Sequence, residues 1–145
     1  MYCDEVLTHT LDELQQAYLT LINKSEVSPG VVSVKECSQE LVVGTTRLDD
    51  GHQRPGGIVS GPSLFALVDA IAFLVTLAHS PKGSNGFTSA LSMHFFQPVH
   101  PGEIRVEGRL LKYGKRSCIV DARVFSDSQA PPAAQGVVTY VPIFP

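Results

Sequence analysis

Tryptophan is absent from this 145-residue chain and cysteine is scarce. Cys3, Cys37 and Cys118 are odd in number, widely spaced and not arranged as a CxxC pair, so neither a disulfide framework nor a zinc site is suggested. A reducing cytoplasm fits that usage best. Charge is also sparse, at 17% of residues with a net of −3 and no run of Lys or Arg. Such a surface has nothing to attract nucleic acid broadly or to hold an anionic membrane. The opening MYCDEVLTHT has no basic stretch followed by an apolar one, so no signal peptide is expected. No GxxxxGK[ST], GxGxxG or HxxxH is present, and G-I-V-S-G misses the spacing of a nucleophile elbow because Ser60 follows Gly57 by three residues. The five histidines form no ligand set, which leaves His52 a peripheral candidate and His94 and His100 strand and turn residues. No metal or cofactor is implied.

What the chain does have is a stretch from Gly61 to Ala78, GPSLFALVDAIAFLVTLA, that is apolar on all sides except for Asp69. A helix so uniformly apolar must be wrapped by protein or lipid. Its apolar run is short for a bilayer span and carries an acid near its middle, so a buried core helix is expected. Pro62 suits a first helical position, which makes Gly61 the expected cap. At helical spacing Phe65, Ala66, Ala72, Phe73 and Thr76 share the face of Asp69. An ionised carboxylate among such neighbours loses hydration, and its pKa should rise unless donors or a cation compensate. That suits a general base or nucleophile, and equally a structural Asp held by hydrogen bonds from a strand.

At this length and 43% hydrophobic content, residues 1–145 suffice for one domain with a real core. Leu11, Leu14, Tyr18, Leu21 and Ile22 predict an amphipathic helix over residues 10–24, broken at Ser28–Gly30. VVSVKE and ELVVGTTR read as a hairpin through Ser38 and Gln39. Leu48–Pro62 reads as a loop whose Gly56, Gly57 and Gly61 let backbone approach a ligand, ending at a helix N-terminus that favours negative charge. After a loop at His79–Gly86, four long strands are expected. FTSALSMHFFQP would put Phe87, Ser89, Leu91, Met93 and Phe95 on one face; EIRVEGRLLKY alternates; a turn at Gly114 and Lys115 leads to SCIVDARVFS; and PPAAQGVVTYVPIF closes the set. The pattern is α+β, with about six antiparallel strands curling around one apolar helix.

From about Leu48 to Tyr140 these residues resemble a hotdog-fold acyl-CoA thioesterase of the PaaI-like type, in the superfamily named for 4-hydroxybenzoyl-CoA thioesterase. Many members carry N-x-x-G-x-x-H-G-G-x-x-x-x-x-x-D. In this sequence Arg54 stands at the Asn, Ser60 at the His, Gly61 and Pro62 at the two Gly, and Asp69 at the acid. Thr88 matches a Ser or Thr often found early in the next strand, and Gln97–Pro98 a strand ending. The departures at Arg54 and Ser60 remove two side chains that position substrate and water in relatives, although RPGGIVSGP before an apolar helix looks like a recurring variant.

The resemblance implies hydrolysis of an acyl-CoA, with Asp69 as base or nucleophile, the Gly61 N–H as oxyanion donor, and Thr88 orienting water or Asp69. Arg54, Gly57 and Ser60 fall on the substrate side. Lys112, Lys115 and Arg116, at a hairpin tip, would meet the nucleotide phosphates of CoA. A non-catalytic acyl-ligand-binding protein is the alternative, and a dehydratase or hydratase a weaker third, since Ser60 has taken the expected His position. Asp69 lies over two turns beyond Gly61, about 12 Å along one helix. One carbonyl cannot touch both, so a site using both must lie between two subunits, as in the family's dimer. A dimer of dimers is the further implication.

Overall fold

The computed structural model describes residues 7–22, 32–49, 53–126 and 130–145. Cys3, the Ser28–Gly30 break and His52 lie outside them. α1 spans Leu11–Ile22. Thr10 and Glu13 close its start reciprocally: the Glu13 N–H donates to Thr10 Oγ1 at 3.2 Å, and the Thr10 N–H to Glu13 Oε1 at 3.0 Å. Leu14 and Tyr18 are buried, while Gln15 of the polar face bonds the neighbouring strand. The Gln15 amide donates to Val32 O at 3.1 Å and accepts from the Val34 N–H at 2.6 Å, so a side chain stands where a further strand would pair.

The strands are β1 Ser33–Cys37, β2 Leu41–Leu48, β3 Gln53–Arg54, β4 Ile58–Val59, β5 Asn85–Phe95, β6 Gly102–Tyr113, β7 Cys118–Phe125 and β8 Ala134–Ile143. Six form one antiparallel sheet in the order β1-β2-β6-β7-β8-β5, and β3 pairs with β4 alone. The expected loop at 48–62 therefore contains a small hairpin. Its turn works because Gly56 and Gly57 both adopt positive φ, at 107° and 76°.

The 19-residue helix α2, Gly61–His79, lies in the concavity of the sheet. Its C-terminal end is pinned. The Thr8 N–H donates to Ala78 O at 2.9 Å, the Thr8 hydroxyl reaches Ser80 O at 2.6 Å, and the buried His79 ring nitrogens lie 2.9 Å from Val75 O and Gln39 O. By length and composition α2 could cross a bilayer, but eleven of its residues are buried against this sheet, as a core helix requires.

Close approach of α2 to β6 depends on Gly108. A Cβ there would lie 2.7 Å from Val75 Cγ2 and 3.0 Å from Ile71 Cγ1. Gly108→Ala should therefore cost about 1–3 kcal/mol by overpacking, read as a lowered urea midpoint with an unchanged m-value. An unchanged midpoint would mean that helix and sheet can separate freely.

Candidate active site

Two sequence expectations change at the start of α2. The cap is Ser60 rather than Gly61: its backbone is extended (φ −67°, ψ 149°), its Oγ accepts from the Ser63 N–H at 3.3 Å, and it lies 2.8 Å from the Ser63 hydroxyl. Pro62 consequently occupies the second helical position, where its missing N–H is equally harmless. Gly61 becomes the first helical residue, and its N–H has no carbonyl partner within the helix. That donor sits at the positive end of the helix dipole. The Ser60 hydroxyl, by contrast, is occupied in capping.

Gly61 opens onto a cleft of about 350 Å³ lined by Arg54, Leu64, Phe95, Phe96, Gln97 and Pro98, among others. Arg54 and Gly61 are thus brought together, and the Phe95 ring lies against Gly61. Gly57 shapes the β3–β4 turn and does not line this cleft.

The apolar wrapping expected around Asp69 is incomplete. Buried residues of α2 face the sheet, whereas Pro62 and Phe65 are exposed and Ala66, Asp69 and Phe73 are partly so. These positions share one helical face. Asp69 is half-buried, and the expected enclosure is not completed among the described residues. Its hydrogen-bond partner is Thr88, whose hydroxyl donates to Asp69 Oδ1. Among the described residues no Lys or Arg pairs with it.

Thr88 reaches Asp69 because β5 is irregular. The pairing of β5 with β8 shifts register between Thr88 and Ala90, a β-bulge. Gly86 and Thr88 face α2 before it, and Leu91 and Met93 pack on the core after it, while Phe87 and Ser89 are exposed. The single face expected for Phe87, Ser89, Leu91, Met93 and Phe95 is therefore broken. β5 is also the open edge of the sheet, with Phe87 and Phe95 over half exposed along it.

Lys112 and Lys115 lie elsewhere. With Thr8, His79, Pro81, Tyr113 and Phe144 they line a cavity of about 590 Å³ at the C-terminal end of α2. Arg116 is exposed on the same hairpin and does not line it. Nineteen helical residues, roughly 28 Å, separate the two ends of α2, so within one chain this cluster does not meet Gly61 or Arg54.

Chemically, among the described residues, the arrangement offers a carboxylate oriented by one neutral donor on an open apolar face, and a helix-terminal N–H without a partner beside an arginine-edged cleft. Tyr140, which the sequence reading did not single out, closes the face beyond Asp69. It stacks on Phe73 at 5.5 Å, and Phe73 contacts Tyr18 at 6.5 Å.

The comparisons with known proteins agree with this fold. The model of the thioesterase superfamily matches residues 56–133, which run from the β3–β4 turn through α2 to the end of the β7–β8 connection. A protein of Saccharolobus solfataricus, provisionally named an esterase, is 32% identical over 107 residues, 71% of this chain and 70% of its own length. The crystal structure of a protein from a Silicibacter species, provisionally described as a thioesterase, superposes with a TM-score of 0.84 at 26% identity, covering 99% of this chain and 98% of its own. A Streptococcus mutans protein whose crystal structure holds acetyl-CoA is similar in fold, with a TM-score of 0.72 at 19% identity over 83% of this chain and 95% of that one. The wrapped apolar helix, the six-stranded antiparallel sheet and the matched stretch together make this chain a member of the thioesterase superfamily, a thioester hydrolase of hotdog fold.

Proposed function

We propose that the protein hydrolyses acyl-CoA thioesters at a site shared by two antiparallel copies, with Asp69 of one chain and the Gly61 N–H of the other acting on the same carbonyl. The observation that carries this reading is the separation of the two groups: Asp69 sits with Thr88 on an open apolar face, about 12 Å of helix from Gly61. The exposed edge strand β5 and the uncovered Phe65 beside Asp69 supply a surface on which a second copy would complete the enclosure. Acetyl-CoA bound by a protein of like fold supports CoA as the carrier.

In the proposed reaction, water forms a bond to the thioester carbon while one of its protons passes to Asp69. The Gly61 N–H and helix dipole stabilise the oxyanion. Collapse breaks the C–S bond, and the proton on Asp69 goes to the departing thiolate, leaving free acid and CoA. Asp69 as a direct nucleophile is the alternative route through the same residues. Arg54, beside the Gly61 cleft, holds an anionic part of the substrate, with Gly57 and Ser60 shaping its approach. Lys112 and Lys115 meet the CoA phosphates, with Arg116 at the rim. They lie about ten residues of helix, roughly 15 Å, beyond Asp69, a separation suited to an extended pantetheine arm. Each chain is read as one hotdog unit, two dimers associate as a tetramer, and the setting is the cytoplasm.

Release of free thiol from a panel of acyl-CoAs tests the activity. Turnover of at least one member is expected, whereas binding without thiol release would favour an acyl-ligand-binding role. Thr88→Val should lower kcat roughly 10- to 100-fold, because a hydrogen bond to a charged group is worth roughly 1.5–3 kcal/mol. Thr88→Ser should keep most of the rate. Equal rates for Val and Ser would remove Thr88 from the site.

A further inference from the structure

We infer that the Tyr140 hydroxyl is a further member of the site, the second hydrogen-bond partner of the water that Asp69 deprotonates. The inference rests on the reading of Asp69 as general base. Three observations converge on it. Tyr140 is the strand partner of Thr88, which itself donates to Asp69. Its ring stacks on Phe73, one helical turn beyond Asp69 on the same face. The space for that ring comes from Gly86, where a Cβ would stand 2.4 Å from Tyr140 Cε1. A Cβ at 86 would also stand 2.6 Å from Val141 O, so the absence of a side chain there admits both the close strand pairing and the Tyr140 ring.

Packing alone does not account for the hydroxyl. Tyr140 is 6% exposed, and among the described residues its oxygen has no hydrogen-bond partner. A phenylalanine would stack on Phe73 as well without bringing a polar atom into the interior, a step that costs stability when the atom is unsatisfied. Nor is the oxygen sealed off. Ser84 Oγ is the fully buried side-chain polar atom left without a partner among the described residues, so the Tyr140 oxygen keeps access to a small polar molecule. Burial, and secondarily the charge of Asp69, push the phenol well above its usual range, so it stays neutral and protonated throughout the working pH range.

A water donating one proton to the free oxygen of Asp69 and the other to the Tyr140 oxygen would have its lone pair fixed toward the carbonyl carbon. Tyr140 neither gains nor loses a proton in this step. Its contribution is orientation of the nucleophile.

Tyr140→Phe keeps the ring and removes only the oxygen. We expect kcat to fall about tenfold or more, with KM for the acyl-CoA and Tm unchanged, since the lost contact is made to water rather than to substrate. A kcat within twofold of wild type overturns the inference, whatever happens to Tm. Asp69→Asn, assayed alongside, separates the two levels. If it is inactive while Tyr140→Phe is normal, only the role of Tyr140 fails; if it turns over normally, Asp69 is not the base.

Discussion

Asp69→Asn is expected to lower kcat by at least about 100-fold while leaving the protein folded, because positioned proton transfer contributes roughly 10²–10⁴-fold and the amide cannot accept the proton. The stability half of this expectation follows from the surroundings of the carboxylate. Asp69 is half-buried, accepts from one neutral hydroxyl and pairs with no cation among the described residues. Its replacement therefore strands no buried partner charge, which is the usual source of large losses at acidic sites. The Thr88 hydroxyl can donate to the amide oxygen as it did to the carboxylate. Tm should move by no more than a few degrees, and KM should change little. Turnover near the wild-type rate in a folded Asp69→Asn protein would remove the mechanism.

Much of the fold was legible because burial imposes simple periods. The uniform apolarity of 61–78 announced a wrapped helix, and the alternation in 104–110 announced a half-buried strand; both are where they were expected. What the sequence concealed are features set by a single local choice. Pro62 is compatible with the first or second helical position, and only the Ser60 hydroxyl reaching the Ser63 N–H decides between them. The bulge near Ser89 adds one residue to a two-residue period, so every later side chain in β5 changes face, and no residue type at that position signals it. The Asp69–Thr88 contact depends on that bulge, as does the pairing that brings Tyr140 alongside.

The site was legible in parts and not in its arrangement. Asp69 and Gly61 were candidates from the lone acid in an apolar helix and from the resemblance to the family motif, but composition could not distinguish an apolar face covered by its own sheet from one left open. Phe65, 43% exposed, is not covered by its own sheet. Lys112 and Lys115 likewise read correctly as a basic hairpin tip, yet their place at the far end of α2 from Gly61 is a matter of topology.

The proposed shared site yields the second large effect, and mixing two inactive chains tests it most directly. One chain carries Asp69→Asn. The other carries Gly61→Pro, which deletes the proposed oxyanion donor; Ser60 before it is already extended, as a residue preceding proline should be, and a Cβ at 61 would meet nothing nearer than Phe95 Cζ at 3.7 Å. Each variant alone should be nearly inactive, since losing one oxyanion donor costs roughly 10²–10³-fold. After subunit exchange at equal concentrations about half the dimers are mixed, and each mixed dimer holds one intact site and one doubly damaged site. Activity should return to roughly a quarter of wild type. Exchange demonstrated by labelled subunits, with no activity regained, would contradict a site built from Asp69 of one chain and Gly61 of another.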